Sequence, residues 1–142
     1  MQLGSRNPAH EYRLNGTPIA LADEERDLGI IIDSELTFHS QTAVAVSKAS
    51  QLLAVIAHID ETTLPLLYKA LIVRPFLEFG NAVWGPFSKG DQKRLEKVQR
   101  RATRMVGSIK HLSYSERLER LRLLSLFYRR RYSWGRRHQQ LS

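Results

Sequence analysis

The spacing of hydrophobic and polar positions divides the chain into a short β-rich front and a longer helical part. Residues 11–14 and 17–21 flank Asn15-Gly16, a dipeptide typical of tight hairpin turns. An acidic stretch at 22–26 predicts a loop, and the apolar β-branched run at 27–33 after it predicts a buried strand. We therefore expect three short strands before the helical part begins.

From Phe38 onward the apolar residues recur at helical spacing. A second helix is expected to begin at Thr62 or Thr63, with Pro65 tolerated in its first turn, and to run to about Val73. Pro75 either interrupts it or restarts a short third helix, and Gly85-Pro86 marks a break. The apolar face of the first, mostly buried helix is formed by Phe38, Ala45, Val46, Ala49, Leu52, Leu53, Ile56 and Ile59.

Capping residues delimit three further helices. Ser88 can cap the fourth helix, which Gly107 is expected to end as the residue after its C-cap. Ser113 and Glu116 form a capping box for the fifth. Ser125 can cap a sixth, ending before Gly135.

The predicted fold is α+β and predominantly helical: an N-terminal hairpin or three strands, then a bundle of about five to six helices. We expect a disordered lead-in at 1–10, terminal strands at 11–36, a helical domain at 37–134 and a disordered tail at 135–142.

Charge is distributed unevenly along the chain. Residues 89–142 hold 16 of the 22 Lys and Arg but only four of the 14 acidic residues, a net charge of +12. The remaining 88 residues carry −4, which gives the overall +8. A basic half beside an acidic half is expected of a protein with a polyanionic partner, although a solvated charged surface would give the same composition.

The fourth helix concentrates this charge on one face. At 100° per residue, its cations lie opposite the apolar stripe of Leu95, Val98, Ala102, Met105 and Val106. Glu96, four residues before Arg100, is the only acidic residue placed at i+4 spacing from one of these cations. Most of the charges on this face therefore repel one another. Nucleic acid would relieve that repulsion, and a solvated face or a contact with the acidic front are the alternatives. The predicted phosphate contacts are Lys89, Lys93, Arg94, Lys97, Arg100, Arg101 and Arg104.

A second basic patch follows near the C-terminus. It consists of Arg129-Arg130-Arg131 and Arg136-Arg137, with Tyr128, Tyr132 and Trp134 between and beside them. Aromatic residues among arginines suit base stacking or contact with a nucleic-acid backbone, and the alternative is that the arginines only surround aromatic core anchors. Phe127 and Tyr128 are instead expected to be core anchors.

Enzymatic residues are not assembled in this sequence. The five histidines lack metal-ligand spacing, cysteine is absent, and no phosphate-binding glycine loop or nucleophile elbow occurs. We expect no catalytic residues, no metal site and no cofactor. With no apolar signal region and no run long enough to span a bilayer, we expect an intracellular protein, nuclear or cytoplasmic, that is neither secreted nor bound to membrane.

Several ordered motifs resemble the C-terminal part of reverse transcriptases from jockey-like LINE (non-LTR) retrotransposons, over roughly residues 11–133. The front contributes Leu14-Asn15-Gly16, Asp27-Leu28-Gly29 and Ile32-Asp33. The helical part contributes residues 67–71 (LYKAL), 74–81 (RPFLEFGN), 83–86 (VWGP), 95–103 (LEKVQRRAT) and 111–118 (HLSYSERL).

The resemblance implies that residues 11–36 are the last palm strands, with Asp27, Leu28 and Gly29 similar to the primer grip, and that the helices are a thumb lying along template–primer. The Tyr/Phe-Ala-Asp-Asp motif that holds the catalytic metals in the family is not in this sequence. We therefore expect a fragment that binds RNA or an RNA–DNA duplex, has no polymerase activity alone, and has the fingers and palm of a full-length polymerase as a further partner.

Some positions depart from the family pattern. Ile72 is one residue too many before Arg74-Pro75, and Leu124 stands where proline is expected. The alternative hypothesis is accordingly an inert or protein-binding helical remnant of a decayed retrotransposon copy.

Overall fold

The computed structural model describes residues 1–4, 6, 8, 10–77, 84 and 88–129. Its architecture is α+β and about 53% helical, with two short antiparallel β-hairpins at the N-terminus. The predicted fold class is thereby confirmed. The predicted break at Gly85-Pro86 lies outside the described residues.

The first hairpin forms where the turn dipeptide predicted it. Strand β1 (Arg13–Leu14) pairs with β2 (Thr17–Pro18), and Asn15 and Gly16 both adopt positive φ in the turn, as a two-residue hairpin requires. The return strand was predicted to reach Leu21 but ends at Pro18. One further backbone hydrogen bond, from the Ile19 amide to the Tyr12 carbonyl, completes the pairing.

The second hairpin corrects the prediction of one strand at 27–33 preceded by a loop. Strand β3 (Glu24–Asp27) pairs with β4 (Ile30–Asp33), and Leu28-Gly29 is the tight turn between them, with φ of 49° and 82°. All of β3 is exposed, so its charged side chains remain in water while its backbone pairs. The pattern concealed this strand because none of its side chains is apolar.

Helix α1 (His39–Ile56) begins after a strained residue that the fold holds in place. Phe38 has φ of 59°, a conformation that bulky residues rarely adopt. Its amide donates to the Asp33 carboxylate at 2.6 Å, and its buried ring lies 6.5 Å from the ring of Trp84. These two contacts fix the point at which the chain leaves the second hairpin and enters α1.

The second helix changes its winding instead of breaking at proline. Helix α2 (Leu64–Leu67) continues directly into a π-helical segment, Tyr68–Leu77, which contains Pro75. The expected interruption or restart at Pro75 is therefore wrong. Proline has no backbone N–H and therefore cannot donate the regular hydrogen bond of an α-helix. The wider π turn has a different hydrogen-bond pattern, and Pro75 lies within it.

The start of α2 also differs in detail from its prediction. Thr63 is the N-cap residue and Pro65 lies in the first turn, as expected. The Thr63 side chain, however, makes no capping bond. Its hydroxyl and amide both donate to the Asp60 carboxylate at 2.9 Å, so Asp60 organises this turn.

Helix α3 (Lys89–Arg104) begins as predicted and ends early. The Ser88 hydroxyl accepts a hydrogen bond from the Asp91 amide at 3.1 Å. The helix ends at Arg104, and Gly107 begins a 3₁₀ turn, Gly107–Ile109, so its predicted capping role is wrong. A Cβ at Gly107 would lie 2.7 Å from Oε1 of the exposed Glu61 side chain, which accepts a hydrogen bond from the Ser108 amide at 3.0 Å.

Helix α4 (Tyr114–Arg120) has the predicted capping box. The Ser113 hydroxyl accepts from the Glu116 amide, and the Glu116 carboxylate accepts from the Ser113 amide. A further helical turn begins at residue 126, where the Ser125 hydroxyl accepts from the Tyr128 amide at 3.3 Å. The expected end of that helix, before Gly135, lies outside the described residues.

The core lies where α1 packs against the π-helical segment and α3. Small residues, Ala45 and Ala49, let α1 approach closely, and of the two predicted leucines Leu53 is fully buried while Leu52 is partly buried. The buried centre is completed by Ile30, Phe38, Ile56, Tyr68, Ile72, Val73, Leu77, Trp84, Leu95, Val98, Ala102, Leu123 and Leu126. Of the two hairpins, only Ile30 is buried, so the helices supply almost all of the core.

We predict that Asp33→Ala destabilises the protein by about 1–2 kcal/mol near neutral pH, because the carboxylate accepts from Thr37 and Phe38 at the entry to α1. Partial burial raises the pKa of Asp33, but these hydrogen bonds outweigh it and hold the pKa below the usual 3.8. The stabilisation is therefore complete above that value and is lost as the pH falls through the lowered pKa.

Urea unfolding of the wild type and Asp33→Ala at several pH values measures this difference. Asp23→Ala, at an exposed position in the same region, is the control and should change stability by less than about 0.5 kcal/mol. If Asp33→Ala lowered the stability equally at every pH, including pH values at which Asp33 is fully protonated, the role given to the ionised carboxylate would be contradicted.

Candidate nucleic-acid interface

The cations of α3 lie on its outer face. Leu95 and Ala102 are buried on the opposite side, against α1 and the core, and Val98 is buried at the boundary between the two faces. All seven residues predicted from the sequence occupy exposed positions: Lys89, Lys93, Arg94, Lys97, Arg100, Arg101 and Arg104.

Five of these seven cations line a groove of about 610 Å³ beside α1. Lys89 and Lys93, in the first helical turns, do not line it. Its walls are formed by Arg94, Lys97, Val98, Arg100, Arg101 and Arg104 of α3 and by Val46 and Ser50 of α1.

Sequence reasoning missed the contribution of α1 to this groove. Val46 was assigned only to the apolar face of α1, and Ser50 was not assigned at all. Both are half-buried and lie four residues apart, a spacing that predicts that they share one face of α1. The spacing does not predict which helix that face contacts, because this depends on tertiary packing.

Four of the five cations in the groove have no acidic partner among the described residues. No carboxylate of this part of the chain lies within 4.0 Å of the charged groups of Lys97, Arg100, Arg101 or Arg104. Arg94 has one, because it lies 3.4 Å from Asp91. Positive charge therefore accumulates in the groove without compensation from this part of the chain.

Asp91 is buried, and it joins the two helices beside the groove. One carboxylate oxygen contacts Arg94, and the other contacts Nδ1 of the exposed His39 at the start of α1. The pair ties the N-terminal ends of α1 and α3 together. No spacing in the sequence linked residues 39 and 91.

Arg100 is held by an aromatic ring and not by the predicted i+4 carboxylate of Glu96. Its guanidinium carbon lies 4.2 Å from the centroid of the Tyr114 ring, a favourable cation–π geometry. Glu96 instead accepts a hydrogen bond from the Tyr114 hydroxyl and another from the Leu126 amide at 3.0 Å. Burial, with the adjacent Glu96, raises the pKa of Tyr114 well above its ordinary value, so the phenol remains a donor.

A buried amide connects the inner side of α3 to three other segments. Gln99 is fully buried, and its carbonyl oxygen accepts from the Tyr68 hydroxyl at 3.2 Å. Its amide nitrogen donates to the Leu124 carbonyl at 2.9 Å and to the Tyr114 hydroxyl at 3.4 Å. The outer cationic face therefore rests on an inner face that is both apolar and specifically hydrogen-bonded.

Arg117 is a buried cation that sequence reasoning did not separate from the exposed ones. Its Nε donates to the Thr103 hydroxyl at 3.1 Å and its guanidinium to the Leu112 carbonyl at 2.6 Å. The guanidinium carbon also lies 5.7 Å from the Tyr114 ring centroid. Arg117 therefore packs α4 onto α3 and is not available to a ligand.

The second basic patch is only partly described. Arg129 is half-buried at the end of the described residues, and Arg130 and Arg131 lie outside them. Phe127 and Tyr128 were predicted to be core anchors, but both are exposed and pack edge-on against each other, with centroids 5.9 Å apart. Leu126 takes the core position instead, because the turn starting at 126 directs it inward.

The residues similar to a primer grip lie apart from the groove walls. Asp27, Leu28 and Gly29 form the end of β3 and the turn of the second hairpin, where Leu28 is 86% exposed. None of the three lines the groove.

The described part of the chain contains no group of three or more His, Asp and Glu side chains arranged to hold a metal ion. Nor does any described helix combine the length and the apolar character needed to cross a bilayer.

Comparison with protein-family models, curated proteins and solved structures found no match for this chain. The resemblance to LINE reverse transcriptases therefore stays a prediction from the motifs quoted from the sequence.

We predict that Gln99→Leu destabilises the fold by about 2–3 kcal/mol, because a nearly isosteric apolar side chain leaves the Tyr68 hydroxyl and the Leu124 carbonyl without this partner. The urea midpoint should fall with an unchanged m-value. Gln51→Leu, the same change at an exposed position of α1, should shift stability by less than about 0.5 kcal/mol. Equal effects of the two substitutions would rule out the connecting role of Gln99.

Proposed function

We propose that this chain binds the phosphate backbone of RNA or an RNA–DNA duplex through the groove beside α3, as the thumb-like part of a LINE-type reverse transcriptase. The observation that carries the proposal is the convergence of five cations on one groove, four of them without a carboxylate partner among the described residues.

A polyanion matches the groove in charge and in length. From Arg94 to Arg104, α3 advances by about 15 Å at roughly 1.5 Å per residue. This length corresponds to the axial rise of roughly four nucleotides of a duplex strand, at about 3.4 Å each. A row of phosphates can therefore meet successive cations, relieve their mutual repulsion and release condensed counterions.

The lining of the groove favours contact with the backbone over contact with bases. No aromatic side chain is among the described residues that line it, so these residues offer no surface on which an unpaired base would stack. The Tyr114 ring has one face occupied by Arg100. Contacts to phosphates alone carry no direct sequence information, and binding with little sequence preference is the expected outcome.

The motif resemblance supplies the biological context of this proposal. In a thumb-like segment the template–primer duplex would be the polyanion, and catalytic aspartates would come from a palm in another part of the polymerase. By itself the chain is expected to bind without extending a primer.

We predict that replacing Lys97, Arg100, Arg101 and Arg104 together by Ala weakens binding to a short labelled RNA–DNA duplex by about 10-fold or more. The slope of log K against log salt should become shallower by roughly 3–4, since each lost phosphate contact removes about 0.9. Fluorescence anisotropy between about 50 and 200 mM salt measures both quantities.

The matched control removes four exposed cations that lie outside the groove: Arg26, Arg74, Lys110 and Arg120. Both variants have the same net charge, so a general electrostatic attraction would weaken binding equally in the two. That result would exclude the groove as the interface. Absence of binding by the wild type would instead support the inert or protein-binding remnant.

A further inference from the structure

The groove beside α3 has two chemically different walls. The α3 wall carries the five cations, whereas the described residues of the α1 wall, Val46 and Ser50, carry no charge. Ser50 is the one uncharged polar side chain among the described residues that line the groove. Because the cations bind phosphates, the α1 wall faces the other parts of a nucleic-acid strand, its sugars and bases.

The contact between His39 and Asp91 sets the register of the two walls. It joins the N-terminal ends of α1 and α3, and later turns of both helices line the groove, so the two helices run in the same direction from it. Val46 and Val98 each lie seven residues beyond this contact, which is about 10 Å along either helix. Ser50 lies one turn further along α1 and is therefore level with the last turn of α3, which carries two cations without an acidic partner among the described residues.

The hydroxyl of Ser50 is open to a ligand. Hydroxyl groups inside helices commonly donate to a carbonyl three or four residues earlier, as those of Thr42 and Thr103 do. The Ser50 hydroxyl makes no such bond and has no other hydrogen-bond partner among the described residues. At a half-buried position on the groove wall it is therefore free both to donate and to accept.

A ribose 2′-hydroxyl is the part of a nucleic acid that matches this group. It is both donor and acceptor, and it distinguishes RNA from DNA. It lies on the sugar between two successive phosphates, so a strand held by its phosphates on α3 can present it to the facing wall, with Val46 and Val98 against the carbon atoms of the sugar.

We propose that the groove holds an RNA strand, that the Ser50 hydroxyl forms a hydrogen bond with a ribose 2′-hydroxyl, and that Ser50 thereby makes the groove select RNA over DNA. This inference rests on the proposed nucleic-acid binding and names the strand of the RNA–DNA duplex that occupies the groove.

The test compares two duplexes that differ only at the sugar. One is a labelled RNA–DNA duplex, and in the other each 2′-hydroxyl of the RNA strand is replaced by fluorine, which keeps every phosphate and the ribose-like sugar shape but removes the donor. We expect the wild type to bind the hydroxyl form about three- to tenfold more tightly, the effect of one net hydrogen bond. Fluorescence anisotropy at one fixed salt concentration measures both affinities.

Ser50→Ala should bind both duplexes equally, with the affinity that the wild type has for the fluorinated one. Its salt slope should match that of the wild type, because no phosphate contact is lost. Alanine is the strongest helix former, so this variant is expected to fold.

Two further comparisons isolate the hydroxyl. Ser50→Thr and Ser50→Val have side chains of nearly equal volume, and the threonine variant should keep the preference for RNA while the valine variant loses it. Ser47→Ala removes an exposed hydroxyl of α1 that does not line the groove, and it should keep the full preference.

Two outcomes would overturn the role of Ser50 and leave the proposed function in place. One is equal binding of the two duplexes by the wild type. The other is a preference for RNA that persists in Ser50→Ala, which is the result expected if the preference came from helix shape or if Ser50 donated to a phosphate. Absence of binding to either duplex by the wild type would overturn the proposed function itself.

Discussion

The hydrogen-bonded amide of Gln99 is the constraint on which the arrangement of the helices depends. It joins α3 to Tyr68 of the π-helical segment, to Tyr114 of α4 and to the Leu124 carbonyl. A buried polar group without partners costs about 1–3 kcal/mol, so an alternative packing of α3 would leave several such groups unsatisfied. Apolar contacts alone would tolerate rotation of the helix, whereas this set of bonds accepts one orientation.

That orientation determines the electrostatic character of the surface. With Leu95, Val98 and Gln99 turned inward, every cation of α3 faces outward, and α1 provides the opposite wall of a groove. The Arg100–Tyr114 stack and the Asp91 contact with Arg94 limit the freedom of two of the arginines. Polar contacts therefore both orient α3 and restrict the arginines on the cationic face that we assign to nucleic acid.

Local features of the chain were predicted well because local interactions create them. The Asn15-Gly16 turn, the Ser88 cap and the Ser113–Glu116 capping box each depend on residues within four positions of one another. The errors arose at positions whose contacts are made by residues distant in the sequence. Gly107 was expected to cap a helix but begins a 3₁₀ turn whose Ser108 amide donates to Glu61. Glu96 was paired with Arg100, although its oxygens accept hydrogen bonds from Tyr114 and Leu126.

The sequence by itself determined the fold class, the cationic face of α3 and the lack of a recognisable catalytic motif, because composition, caps and helical period act over a few residues. Only the tertiary structure decided that β3 pairs with β4, that Val46 and Ser50 complete a groove, and that Phe127 is exposed while Arg117 is buried. The physical reason is that burial and hydrogen-bond partners depend on which segments meet. An arginine becomes a packing residue or a ligand contact only once its neighbours from other helices are in place.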